Sequence, residues 1–432
     1  LAGLPYKFAA MLSVSLGQVI CNAVFVVIIA NYLFKNHRIG LLAALMVVIA
    51  NRHISMAYGS VPNAFAAVFI PIALYLLFFK FRDRTRLSST ILYTIVLTAI
   101  ILTHTISAMC TAILLFVAWG ALAVYRIYQS QADNRVSLVG PTGFTAAMFA
   151  WWIYAASGNI RTLANLIDDG FSADYFVNIP HEFKTYAVVV PFGEQLFINL
   201  GMFLFFAISF IGIFCMISRK GSCSSFAMAW IGITPLAIGF FSLISGHSVI
   251  ESRWWYFSQI LLSIPLAVAI CIVSTWKTEN PRASYCFVFG FVALLSFLMI
   301  MSPTANVDNH ILSPITGTTA AYTQSEMIAS EFFAKNTMDT ISSDRNYCTN
   351  PSSSVFSHLY GINSERLHCL DDSLVFDEYI HDGSMKIIRS KWFREPFKRG
   401  GFSFHIRQDL NEHMSNLGFN KVYNNPMMSG YC

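Results

Sequence analysis

Four groups of residues in this chain carry side chains able to do chemistry, and each stands beside a long apolar run. The first is Asn51-Arg52-His53, followed by Tyr58 and Pro62-Asn63. A guanidinium grips phosphate oxygens in a two-pronged fork, so Arg and His at a membrane–water boundary suit a phosphate or pyrophosphate head group. The competing reading is an arginine that anchors a helix end by reaching to the interface. The second group is Leu102-Thr103-His104-Thr105, at the turn between two apolar runs. Its histidine could orient a sugar hydroxyl or move a proton, and could equally cap a helix end. The third is His247 with Glu251-Ser252-Arg253-Trp254-Trp255-Tyr256. Trp and Tyr there suit an interfacial belt, while Glu251 and Arg253 suit either a local ion pair or a hold on substrate. The fourth is Asp168-Asp169 with Asp174. Paired carboxylates can bind a divalent metal or act as a general base, and can also be a solvated helix end. No Gly-rich phosphate loop, nucleophile elbow, zinc spacing or CxxC accompanies them.

The elements that must position these groups are apolar. Of the 432 residues, 55% are hydrophobic and 12% charged, and before residue 303 the charges fall almost only in gaps between ten apolar runs. Their cores are 8–34, 39–57, 62–79, 88–103, 107–125, 139–157, 195–217, 226–245, 256–275 and 285–302. A spanning helix needs roughly 20 such residues, and lipid tolerates no irregular or open-edged backbone. The expected fold is therefore an α-helical polytopic membrane protein of about ten spans. Alternate gaps hold twelve basic residues: Lys35, Arg38, Lys80, Arg82, Arg84, Arg86, Arg126, Arg135, Arg219, Lys220, Lys277 and Arg282. The other gaps hold four: Arg52, Arg161, Lys184 and Arg253. The basic set faces the cytoplasm by the positive-inside rule. The four chemical groups then share the outer face, with both chain ends outside. The net charge of +5 follows from this loop bias and calls for no nucleic acid. No carboxylate falls at mid-membrane, which counts against a proton-coupled carrier.

After Ser302 the composition turns polar, with eleven Lys or Arg and fourteen Asp or Glu over about 130 residues. That length suits a small independent domain. The division expected is 1–302, multi-span, and 303–432, an extracytoplasmic α/β domain. Gln324–Asn336 sets Met327, Ile328, Phe332 and Phe333 on one helical stripe, and SLVF (373–376) and KII (386–388) read as strands. Cys21, Cys110, Cys215, Cys271 and Cys286 lie in apolar runs as packing residues. Cys348 and Cys369 are a candidate disulfide in the outer domain.

The runs NRHISMAYGSVPNAFAAVFIPIALYLLF (51–78), LTHTISAM (102–109) and ESRWWYFSQILLSIPLAVAI (251–270) resemble polytopic glycosyltransferases of the GT-C superfamily, closest in feel to archaeal members. Arg253 stands where that family has the Arg of an Arg-Tyr signature before an apolar span. SEMIASEFFAKNT (325–337) resembles its outward helix after the last span. The resemblance implies inverting transfer of a sugar at the outer face. The donor would be a polyprenyl-phosphate sugar, and the acceptor a glycan, lipid or protein, with membrane lipid as a further partner. It also implies a catalytic acid in a first outer loop. Residues 1–7 contain no Asp or Glu, so the chain is expected to lack its N-terminal span and that loop, to be inactive, or to use Asp168 and Asp169 instead. In the expected mechanism Arg253 and Arg52 hold the phosphate, and His53, His104, Asn63 and Glu251 complete the substrate site. No cofactor is implied beyond the divalent metal that the paired carboxylates would allow. Two other classes stay open: a carrier or flippase for a lipid-linked or amphipathic solute, and a membrane-anchored scaffold. A scaffold scatters Arg52, His53, His104 and Arg253, and an enzyme gathers them.

Overall fold

The computed structural model describes residues 6–59, 62–82, 87–128, 137–155, 189–218, 221–245, 251–275, 281–307, 311–315, 322–337, 340–343, 366–369, 385–389, 397–399, 402–404, 420–425 and 428–431, with a few single positions. Two compact units emerge. One comprises Leu1–Val177 and Phe197–Asn306, the other Asn178–Leu196 and Val307–Cys432.

The first unit is helical. In chain order it holds α1 (Tyr6–Ala10), a π-helical stretch (Met11–Leu16), α2 (Gly17–Phe34), α3 (His37–Ile49), α4 (Asn51–Gly59), α5 (Pro62–Ala67), α6 (Phe69–Arg82), α7 (Leu87–Thr103), α8 (Thr105–Tyr128) and α9 (Val139–Ala155). Then come α10 (Phe192–Ile217, of which Phe197 onward belongs to this unit), α11 (Cys223–Ser245), α12 (Glu251–Thr275) and α13 (Pro281–Ile300). Among the described residues six helices are long and apolar enough to cross a membrane: Phe8–Phe34, Thr105–Tyr128, Phe192–Ile217, Cys223–Phe240, Arg253–Ser274 and Arg282–Ile300. The expected second span is instead a bent pair, α3 and α4, broken by 59°. Pro62–Phe78 and Leu87–Thr103 are apolar but shorter.

α12 is the hub. Its spanning stretch is 78% buried, against 17% for Arg282–Ile300. Small residues let neighbouring backbones close on it, as membrane helices require. A Cβ added at Gly212 of α10 would lie 1.8 Å from the Pro265 carbonyl oxygen, and one at Gly232 of α11 would lie 2.9 Å from Leu262 Cδ2. Trp254, Trp255 and Tyr256 are 3%, 5% and 0% exposed. They pack inward, Trp255 against Phe206 and Phe240, and so do not form the interfacial belt expected of them.

The second unit carries α14 (Gln324–Asn336) and the strands β1 (Ile341–Ser343), β2 (Leu367–Cys369), β3 (Met385–Arg389), β4 (Phe397–Arg399), β5 (Phe402–Phe404), β6 (Lys421–Asn425) and β7 (Met428–Tyr431). One sheet runs β2-β1-β3-β7-β6, and β4 pairs β5 separately. β1 pairs parallel to β2 and β3, while β7 runs antiparallel to β3 and β6. α14 has the expected bounds but a different buried face: Glu326, Ala329, Ser330 and Phe333, with Ile328 55% exposed. The reason is polar. Thr323 and Glu326 close a capping box, and Glu326 turns inward to pair with the fully buried Arg389. The KII run lies within β3, whereas 373–376 falls outside the described residues.

Candidate functional site

The site begins at the join of α7 and α8, a single residue wide. The His104 amide closes α7 on the Ile100 carbonyl, and the His104 carbonyl opens α8 by accepting from the Ala108 amide. His104 is thus the N-cap of α8. Its Nδ1 faces the Ser107 amide N–H at 3.3 Å, one of the amides that every helix start leaves open. The same Nδ1 lies 3.2 Å from Ser107 Oγ, so the ring proton sits on Nδ1 if that nitrogen donates to the hydroxyl oxygen and on Nε2 if it accepts the amide. Ser107 donates its hydroxyl to Asn63 Oδ1 at 2.7 Å, tying α8 to α5. Asn63 is 2% exposed, and its Nδ2 has no protein partner.

Arg253, in the first turn of α12, reaches across 149 positions to this join. Its Nη1 stands 3.4 Å from His104 Nε2. With the ring proton on Nδ1, Nη1 donates to the Nε2 lone pair, and the chain Arg253–His104–Ser107–Asn63 is hydrogen-bonded throughout. Both Arg253 and His104 are half-buried, and Arg253 meets no carboxylate among the described residues. The remaining guanidinium N–H groups suit an anionic oxygen best.

A second polar cluster hangs on the same helix. Ala50 is extended (φ −63°, ψ 123°) and ends α3, which leaves the first amides of α4 open. Gln259 of α12 caps them, its Oε1 accepting from the Arg52 N–H at 3.0 Å. Its Nε2 donates to Asn51 Oδ1 at 2.7 Å, and Asn51 Nδ2 donates to Ser302 Oγ at 3.3 Å. The break in the span is therefore built in, pinned from α12. His53 is fully buried. It stacks on Tyr256 with ring centroids 6.0 Å apart, and its Nε2 lies 3.2 Å from Asn22 Nδ2. Gln18 Nε2 donates to the His53 carbonyl at 3.2 Å.

The structure thus joins three of the expected site residues, Arg253, His104 and Asn63, in one chain through Ser107. Arg52 enters through its main chain, and His53 sits in the neighbouring sealed cluster. Glu251 begins α12, but its side chain lies outside the described residues, as do Asp168, Asp169, Cys348 and the side chain of Cys369. Among the described residues no three His, Cys, Asp or Glu side chains form a metal-binding group. Sequence reasoning missed Ser107, Gln18, Asn22 and Gln259. The available signals were a serine three places after the capping histidine, and three carboxamides inside runs that are otherwise apolar.

No family model matches the chain, and no curated protein matches it. Among solved structures it is similar to ArnT from Cupriavidus metallidurans bound to undecaprenyl phosphate, at 12% identity over 98% of this chain and 83% of that one, with a TM-score of 0.49. The apo state of that protein gives 11% identity, the same coverage and a TM-score of 0.49. The oligosaccharyltransferase of Archaeoglobus fulgidus, in its apo form, is similar over 81% of this chain and 52% of that one, at 12% identity and a TM-score of 0.42.

Proposed function

We propose that the chain is a membrane glycosyltransferase of the GT-C type, moving a sugar from a polyprenyl-phosphate donor to a glycan, lipid or protein acceptor at the outer face. The observation that carries this reading is the half-buried Arg253 guanidinium, its Nη1 held 3.4 Å from His104 Nε2. In the reaction an acceptor hydroxyl attacks the anomeric carbon, the bond from that carbon to the phosphate oxygen breaks, and polyprenyl phosphate leaves. Arg253, positioned by His104, takes up the negative charge that grows on the departing phosphate. Fixed donors in a water-poor site are worth most at that step. Ser107 and Asn63 hold the imidazole in place beside Arg253. The hydroxyl proton passes to a carboxylate, for which Asp168 and Asp169 are the candidates in this sequence. The unit beginning near residue 303 lies outside the membrane in this reading and receives the acceptor.

The test is release of free polyprenyl phosphate by the purified full-length protein in lipid, over a panel of polyprenyl-phosphate sugars, with Arg253→Ala as control. Release that disappears in the variant supports the reading. Equal release by both removes Arg253 from the site.

One observation favours a second reading, a carrier for a lipid-linked solute. The 59° break after Ile49 comes about 20 Å along the span, at 1.5 Å per residue from His37, and broken helices line transport sites. That reading predicts movement of the intact donor between leaflets with no phosphate released.

A further inference from the structure

Beside the Arg253 chain lies a set of polar atoms that the transfer reaction does not use. Gln18, Asn22, His53 and Tyr256 are each 0% exposed. Gln18 Oε1, Asn22 Oδ1, His53 Nδ1 and the Tyr256 hydroxyl have no protein hydrogen-bond partner. Tyr256 lies against the Asn22 and Gln18 carboxamides without closing a well-formed bond to either. Unmatched groups in such a place are costly, and four together within a lipid-embedded unit require an explanation.

The donor and acceptor senses narrow the ligand. Gln18 is fixed in orientation, because its Nε2 donates to the His53 carbonyl; its Oε1 therefore needs a donor. The Asn22 contact to His53 Nε2 allows two arrangements. If Asn22 donates, His53 keeps its proton on Nδ1 and offers an N–H. If His53 donates from Nε2, its Nδ1 is a lone pair. A partner that both donates and accepts satisfies Gln18 Oε1 and His53 Nδ1 in either case. An anion is repelled by the amide oxygens. Among the described residues a bare cation finds no carboxylate there to balance its charge, in a medium that penalises isolated charge. We infer that Gln18, Asn22, His53 and Tyr256 form a binding site for one neutral hydroxyl, supplied by a trapped water or by a sugar. A buried water commonly makes about three such bonds, and a sugar hydroxyl offers the same donor and acceptor. The site holds α2, α4 and α12 together, and it stands whether or not the transfer reaction proposed above is right.

The experiment pairs density with stability on the full-length protein in lipid. A structure fine enough to resolve ordered water is determined twice, without sugar and with a mixture of glucose, mannose, galactose and N-acetylglucosamine. Thermal unfolding of wild type and Tyr256→Phe is measured in the same conditions. The inference expects a density peak within hydrogen-bonding distance of Gln18 Oε1 and His53 Nδ1. It also expects Tyr256→Phe to lower Tm by about 2 °C or more, since the variant removes a bonded hydroxyl and keeps the ring. A peak in the sugar-free sample assigns the hydroxyl to water. A peak only with sugar, with a sugar-dependent rise in Tm that the variant lacks, assigns it to the sugar. No peak in either sample overturns the inference whatever the variant's Tm. So does a Tm of Tyr256→Phe at or above wild type, the result expected if the hydroxyl were simply orphaned. A Tm that rises with sodium ions but not with tetramethylammonium, and only in wild type, would make the ligand a cation and also overturn it.

Discussion

Two polar clusters hang from the same helix, one at Arg253 and one at Tyr256, and they differ in the sense of what they leave unmatched. Around Arg253 and His104 the groups left to bind are N–H donors: the guanidinium and the Asn63 amide. Around Tyr256 they are mixed, with two carboxamide oxygens, a hydroxyl and one imidazole nitrogen. The first lies on half-buried residues and the second is sealed. Residues three apart share a helix face, so proximity alone does not set these roles. A row of donors reads negative charge, whereas a mixed set reads a neutral hydroxyl. The lesson is that a histidine's role depends on which of its nitrogens the fold has already used.

The largest effect should come from removing the strongest donor. Arg253→Ala is expected to cut polyprenyl phosphate release by about a hundredfold or more, the scale seen when a charge-stabilising donor is lost, with Tm within about 2 °C of wild type. Unaltered release measured on the folded variant would collapse the distinction between the clusters.

His104→Asn sharpens it. Asparagine is a good N-cap, so the start of α8 should survive and Tm should hold, while the imidazole that positions Arg253 is lost. Release should fall by about tenfold, and the fall should be similar in His104→Ala, which in addition loses about 1 kcal/mol of capping. If His104→Asn releases at the wild-type rate, the histidine is a cap and nothing more.

Gly212→Ala acts on both clusters through the hub. The added carbon would meet the Pro265 carbonyl at 1.8 Å, so α10 or α12 must shift, at about 1–3 kcal/mol. Differential scanning fluorimetry should show a clear loss of Tm. A wild-type Tm would mean that α10 and α12 are not packed this closely.

Asn51→Ala should be milder for activity than for folding. It leaves Gln259 Nε2 without its acceptor, at about 1–3 kcal/mol, while Ser302 keeps its bond to the Met299 carbonyl, and it frees the α3–α4 break without touching Arg253. Release should stay within about threefold of wild type while Tm falls. A loss of release as deep as that of Arg253→Ala would show that the two clusters act as one.

Much of the helical unit was legible because lipid imposes a crude pattern: long apolar runs with charge in the gaps. The break after Ile49 was not, since no proline or glycine marks it; it depends on Gln259, more than two hundred positions away. Arg253, His104 and Asn63 were legible as polar groups at helix ends. Their connection was not, because it needs the ring orientation that Ser107 imposes. Gln18 and Asn22 were passed over because a single carboxamide barely alters an apolar run. In the second unit the bounds of α14 could be read, but its buried face could not. An apolar stripe argues for Ile328 facing inward, and the Glu326–Arg389 pair turned the helix to bury a carboxylate instead.

The most direct test of the Arg253 site is equilibrium binding of radiolabelled polyprenyl phosphate to wild type, Arg253→Ala and His104→Asn in nanodiscs, with the uncharged polyprenol as competitor. Saturable binding that polyprenol displaces poorly, weakened at least tenfold in Arg253→Ala and less in His104→Asn, is the predicted result. Equal affinity in all three proteins, or equal displacement by polyprenol, would contradict a phosphate site at Arg253 and His104.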